Sequence, residues 1–92
     1  MATTPPASAL TAADVADKMN AQQRSSWIVG ATDMAAHLYK RMGDKARAAC
    51  LIDWSGDPAN LREIEETLRG NPSLPAAAVI DVLIARHCTP KP

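Results

Sequence analysis

Apolar residues recur at intervals of three and four along most of this 92-residue chain, and no stretch alternates long enough to predict a convincing β-strand. This spacing places apolar side chains on one face of an α-helix. Glycine and proline separate the periodic stretches, as is typical between helices. The pattern predicts an all-α, compact four-helix domain. Its helices are expected at about 12–20, 21–42, 58–69 and 75–87, with a crossover loop over 43–57.

Capping residues mark the expected ends of these helices. Thr11 precedes the first helix and Asn20 precedes the second, and short polar side chains there accept hydrogen bonds from free backbone N–H groups. Gly43 is placed to end the second helix. Asp57 and Pro58 supply a cap and a first helical residue for the third.

The second predicted helix is the longest, and we expect it to be central to the core. Small residues such as Gly30 would let another helix approach it closely. Its apolar face consists of Trp27, Ile28, Ala31, Met34, Ala35, Leu38 and Met42. We therefore expect this face to be buried.

The two ends of the chain differ in composition from its middle. Residues 1–10 are mostly small, polar or proline and are predicted to be a flexible N-terminal arm, and residues 89–92 to be a flexible tail. Residues 11–88 are then a single helical domain, because a chain of this length rarely contains two cores.

Charge and hydropathy exclude several classes of partner. Ten Lys and Arg residues balance ten Asp and Glu residues, and the two signs are interspersed along the chain. A nucleic-acid or anionic membrane partner would instead favour a basic surface. The longest apolar runs, SLPAAAVI and VLIA, are far shorter than the roughly 20 residues of a membrane span. We predict neither nucleic acid nor membrane as a partner.

The residues after Met1, ATTPPASA, have neither the basic nor the apolar region of a signal peptide. A start rich in Pro, Ala, Thr and Ser is also typical of a mature exported protein whose signal has been removed. We expect a periplasmic location on this interpretation, and a cytoplasmic location is the alternative.

The chain contains two cysteines, Cys50 and Cys88. Together with His37 and His87 they are the only soft metal ligands, but no zinc-site spacing is present, so no metal is predicted. A disulfide is favoured, because it would connect the crossover to the end of the last helix. The bond would close a loop of 38 residues and contribute on the order of 4 kcal/mol. Two free thiols in a cytosolic protein would give the same count.

Catalytic arrangements are not indicated. Cys50 beside either histidine would lack an identifiable third group to orient the base, and Ser25-Ser26 lacks a nucleophile-elbow pattern. Asp53 and Asp57 could be paired carboxylates, but Asp57 is already explained as a helix cap. We predict no catalytic residue, no cofactor and no enzyme activity.

Four residues are candidates for contact with a protein partner: Asp53, Trp54, Glu63 and Glu66. Trp54 either closes the end of the core or anchors a partner, because tryptophan is enriched among interface hot spots. The acidic stretch REIEE is either a solvated helix face or a docking surface for a basic partner.

The successive stretches RSSWIVGATDMAAHLY, ACLIDW and NLREIEETLRGNPSLPAAAVIDVLIARHC resemble the small exported immunity proteins of type VI secretion, the Rap/Tai kind. The resemblance covers about residues 10–88. Its matching positions are Trp27, Ile28, Gly30, Cys50, Leu68, Asn71, Pro72, Ala77 through Leu83, and Cys88.

The chain departs from that family at two kinds of position. Met19 and Ser25 stand where the family often has a further cysteine, and LIDW follows Cys50 where proline is common. The resemblance implies a helical, periplasmic, non-enzymatic protein that binds a cell-wall amidase effector and blocks its active site. Association with a second copy to form a homodimer is left open. The alternatives are a periplasmic acid-stress chaperone of the HdeA type and an accessory subunit of a larger complex.

Overall fold

The structure, a computed structural model, describes residues 10–88, which form helices without a β-strand. Its five helices are α1 (Ala12–Ala16), α2 (Ala21–Arg41), α3 (Lys45–Ser55), α4 (Pro58–Gly70) and α5 (Ala76–Cys88). The predicted compact all-α class is confirmed. The N-terminal arm, apart from Leu10, and the tail at 89–92 lie outside the described residues.

The predicted helix caps are present. The Thr11 hydroxyl accepts a hydrogen bond from the Asp14 backbone N–H, and the Asp14 carboxylate accepts one from the Thr11 N–H at 2.9 Å. Asn20 and Gln23 form the same reciprocal pair at the start of α2. Each capping box satisfies N–H groups that the first helical turn leaves without a partner. Asp57 caps α4 directly before its proline.

The predicted crossover loop over 43–57 is wrong, because α3 occupies most of it. The Asp44 side chain accepts a hydrogen bond from the Arg47 backbone N–H at 3.0 Å and so caps this helix. Alanine, lysine and arginine in its first turns favour a helix. Only Ala48 and Leu51 of α3 are buried, so its apolar stripe is too narrow to stand out as a periodic pattern. The CLIDW segment, residues 50–54, lies within this helix.

Helix α1 ends at Ala16, four residues before the predicted end, and is held by the turn between α4 and α5. Its Ala12 N–H donates to the Leu74 carbonyl at 2.8 Å, and the Ala76 N–H donates to the Leu10 carbonyl at 2.9 Å. A helix of five residues is marginal by itself, so these backbone bonds and its packing on α4 and α5 stabilise it.

Helix α5 lies at the centre of the fold, since it packs against each of the other four helices, whereas α2 packs mainly against α3. Every helix contributes at least one fully buried apolar side chain. The largest of these side chains are Ile28, Leu51, Ile64, Leu68, Leu83, Val15 and Val79. The prediction that α2 is the central helix is therefore wrong.

The buried face of α2 is also displaced from the predicted one. Its buried residues are Ile28, Thr32 and Ala36, whereas Met34 and Leu38 are about half exposed or more. The buried stripe begins at Ile28 and the exposed stripe begins six residues later at Met34. The two stripes are therefore about 120° apart around a helix of 3.6 residues per turn. Burial of Thr32 costs little, because its hydroxyl donates to the Ile28 carbonyl at 3.0 Å.

Candidate protein-binding surfaces

The four predicted partner-binding residues lie on α3 and α4, and Trp54 and Glu63 mark the corner where these helices meet the end of α5. Asp53 and Glu66 are exposed, whereas Trp54 and Glu63 are partly buried. Trp54 packs against the edge of the core. The backbone carbonyl of Trp54 also accepts a hydrogen bond from the Asn60 side chain at 2.8 Å. This tryptophan therefore closes one end of the helical domain.

His87 connects two of these predicted residues. Its ring stacks on the Trp54 indole with ring centroids 4.6 Å apart and planes 22° apart. Its Nε2 atom lies 2.6 Å from Oε2 of Glu63. The imidazole therefore holds Trp54 and Glu63 in place by stacking and by hydrogen bonding. This role of His87 was not predicted, and the available signal in the sequence was its position beside Cys88.

The disulfide anchors the same corner. Cys50 of α3 and Cys88 of α5 are bonded, with their Cα atoms 5.7 Å apart. Cys50 lies one turn before Trp54, and Cys88 directly follows His87. The bond, the stacked rings and the Glu63 contact together join α3, α4 and α5. Asp53 of α3 and Glu66 of α4 are exposed on the helices that these contacts join.

A second surface is an apolar groove between α2 and α5, with a volume of about 410 Å³. Its α2 wall contains Met34, Leu38 and Met42, which are 59%, 48% and 78% exposed. These residues follow one another at intervals of one helical turn. Ala31, Ala35 and Tyr39 also line the α2 side of the groove. We call this feature the α2–α5 groove.

The α5 side of the groove is formed by Ala77, Ile80, Asp81 and Ile84. Ile80 and Ile84 are buried and continuous with the core, whereas Asp81 is exposed. Asp81 is the charged residue in a lining that is otherwise almost entirely apolar. Within residues 10–88 its carboxylate makes no ion pair or hydrogen bond.

The groove was not predicted, because its α2 wall was assigned to the core. One signal in the sequence could have indicated it. Helix α2 carries apolar residues on two stripes, one through Ile28 and Ala36 and one through Met34 and Leu38. The short helices around α2 have too little surface to cover both stripes, so one of them stays open to solvent.

Groups that could carry chemistry are not gathered in the described part of the chain. Residues 10–88 contain no cluster of three His, Cys, Asp or Glu side chains that could hold a metal ion. Both cysteines are in the disulfide, and His37 is exposed on α2 away from them. Among the helices within residues 10–88, none has the length and apolar character that a bilayer span needs.

Comparison of the chain with protein-family models, with curated proteins and with solved structures found no match.

Proposed function

We propose that this protein is a non-enzymatic binding protein that associates stoichiometrically with a protein partner through the α2–α5 groove. The observation that carries the proposal is the exposure of Met34, Leu38 and Met42 beside one another in a concave apolar surface. Contiguous exposed apolar patches on small proteins are typical of interaction sites. Single exposed apolar residues elsewhere on the chain need no such explanation.

The energetics favour association at this groove. Removing an apolar side chain of this size from water contributes on the order of 1.5 to 3 kcal/mol when burial is complete. The three side chains of the α2 wall are only partly exposed, so a partner gains a fraction of that at each. Covering all three side chains therefore favours association, and further contacts along the groove must offset the translational and rotational freedom that is lost on binding.

The resemblance to type VI immunity proteins supplies the proposed class of partner, a cell-wall amidase effector in the periplasm. On this proposal the protein protects its own cell by binding the effector and blocking its active site, and it neither degrades nor modifies the effector. Rigid elements that hold a preformed surface favour such binding, because little conformational entropy is lost on association. The disulfide holds α5, which forms one side of the groove, to α3, against which α2 packs.

The test is periplasmic co-expression with the cell-wall amidases encoded beside its gene. The measurements are survival of the host and the mass of the purified complex by light scattering. We expect survival and a 1:1 ratio of the two chains with the wild type. The Leu38→Asp variant should neither protect the host nor form the complex. Its affinity should fall at least tenfold, because a carboxylate would be buried in an apolar interface.

Val29→Asp is the matched control for this experiment. Val29 is also on α2 and is 50% exposed, but it does not line the groove. It should therefore leave the complex unchanged. A complex that tolerates Leu38→Asp but is lost in Asp53→Lys or Glu66→Lys would place binding at the α3–α4 corner instead. Absence of any complex and of protection would contradict the immunity function.

A further inference from the structure

We propose that the occupant of the α2–α5 groove is an amphipathic α-helix of the partner that places a lysine or arginine against Asp81. This inference rests on the proposed function, because it names the chemistry of the partner at the same groove. Two features carry it: the helical spacing of the apolar wall and the unpaired carboxylate in an apolar lining.

The spacing of the wall fits the side chains of a helix. Met34, Leu38 and Met42 are each four residues apart, so they repeat about every 6 Å along the α2 axis. A partner helix presents apolar side chains at i, i+4 and i+7 with nearly the same repeat. Ridges on one helix then fit between those on the other.

The backbone of the occupant distinguishes a helix from an extended segment. A peptide that binds as an added β-strand needs a sheet edge to pair its backbone N–H and C=O groups, and residues 10–88 contain no strand. The side chains that line the groove offer a peptide backbone few polar partners, namely the Asp81 carboxylate and the Tyr39 hydroxyl. A helix satisfies its backbone groups internally, so it can enter such a groove without leaving them unpaired.

The two methionines of the α2 wall can pack against partner helices whose apolar side chains differ in shape. Methionine is unbranched and has a polarizable thioether, so it adjusts to different apolar side chains. Grooves rich in methionine can repack around different helices for this reason. Met34 and Met42 are the most exposed large apolar residues of the described chain.

Asp81 determines the charge of the occupant. An apolar occupant alone would take water from this carboxylate and give it no partner, which is costly. A lysine or arginine at the flank of the occupant would offset that loss with a charge-assisted hydrogen bond. A glutamate at the same place would be repelled. The groove therefore favours a basic amphipathic helix over a neutral or an acidic one.

The test uses the full chain with its disulfide intact and labelled with ¹³C at the methionine methyl groups. The probes are 16-residue helix-forming peptides with three leucines at i, i+4 and i+7. Separate peptides carry Lys, Gln or Glu at each flank of the leucine stripe. We expect saturable shifts of the Met34 and Met42 signals, with Met19, which lines a separate depression, unchanged.

The charge of the residues that flank the leucine stripe should determine how tightly each peptide binds the α2–α5 groove. Lys peptides should bind at least about fivefold more tightly than the corresponding Glu peptides at low salt. The ratio should fall towards one in Asp81→Asn, an exposed substitution that preserves the shape of the side chain. Circular dichroism of this variant should match that of the wild type.

The possible results separate this inference from the proposed function. Equal binding of Lys and Glu peptides would overturn the basic occupant, while the groove would remain a binding site. Failure of every peptide to shift Met34 and Met42 would overturn the helical occupant, and the Leu38→Asp co-expression experiment would then decide the function independently. A dimer of the protein alone that Leu38→Asp dissociates would show that a second copy is the occupant.

Discussion

At the scale of single residues, His87 connects three helices at the disulfide-linked corner. Its ring stacks on Trp54, its Nε2 meets the Glu63 carboxylate, and its chain neighbour Cys88 is bonded to Cys50. Trp54 and Glu63 were predicted as partner contacts, and each has an intramolecular contact that explains its position. The helix-capping residues also have a defined role. Among them, Asp14 has the pKa that is shifted most from its ordinary value.

Asp14 should make stability depend on pH. The Thr11 backbone N–H, followed by Lys18 at 2.9 Å, lowers the Asp14 pKa from 3.8 to about 2. The folded state therefore binds this proton less readily than the unfolded state. The resulting stabilisation is present above about pH 4 and is lost as the pH falls from about 4 to about 2.

We expect Asp14→Asn to remove this part of the acid dependence. The measurement is urea unfolding between pH 2 and pH 6, with the free energy of unfolding compared at each pH. The matched control is Asp17→Asn, because Asp17 is an exposed aspartate nearby that makes no ion pair within residues 10–88. Equal slopes for the wild type and Asp14→Asn below pH 4 would contradict the prediction.

At the scale of helices, local signals determined most boundaries and tertiary contacts determined orientation. The caps at Thr11, Asn20 and Asp57 were predictable because each acts on N–H groups within three residues of itself. Helix α3 was missed although Asp44 caps it in the same way, because its narrow apolar stripe of Ala48 and Leu51 gives little periodic signal. Gly30 was expected to permit a close helix approach, and this was wrong, since nothing lies within 4 Å of its added Cβ position.

Two glycines on and after α2 should respond oppositely to the same substitution. Neither Gly30 nor Gly43 has an atom within 4 Å of an added Cβ, so backbone conformation decides both effects. Gly30→Ala in the helix interior should stabilise by about 0.5 to 1 kcal/mol. Gly43 has a φ of +88°, where a side chain is strained, so Gly43→Ala should destabilise by about 1 to 2 kcal/mol.

Chemical unfolding of both alanine variants beside the wild type checks this pair. Each variant is the control for the other, because the change in side-chain volume is identical. Destabilisation by Gly30→Ala would contradict the prediction that this position follows helix propensity alone. A neutral Gly43→Ala would show that the turn after α2 relaxes to accommodate the side chain.

At the scale of the whole molecule, the disulfide joins the middle of the chain to the end of the last helix. It links residues 38 apart in sequence, and α5, which it anchors, packs against all other helices. A domain of this size buries only about 60 to 65% of its unfolded surface, so its stability has little margin. Closing a loop of this length therefore contributes a large share of the total.

Removal of the disulfide should destabilise the protein by about 4 kcal/mol, from the entropy of the 38-residue loop. The variant is Cys50→Ala with Cys88→Ala, and the measurement is thermal and urea unfolding with and without reductant. The wild type should lose stability in reductant, whereas the double variant should not respond to it. Two titratable thiols in protein purified without reductant, or a wild type that is insensitive to reductant, would contradict the prediction.

The sequence by itself determined the helical class and most helix ends, and it favoured a bond between Cys50 and Cys88 over two free thiols. These properties depend on backbone propensity, on caps that act within one turn and on the presence of two cysteines. Only the tertiary structure decided which stripe of α2 is buried, that His87 contacts Trp54, and that an open groove borders Asp81. The physical reason is that α2 has more apolar surface than its neighbours can cover. Which part remains exposed depends on packing between helices that are distant in the chain.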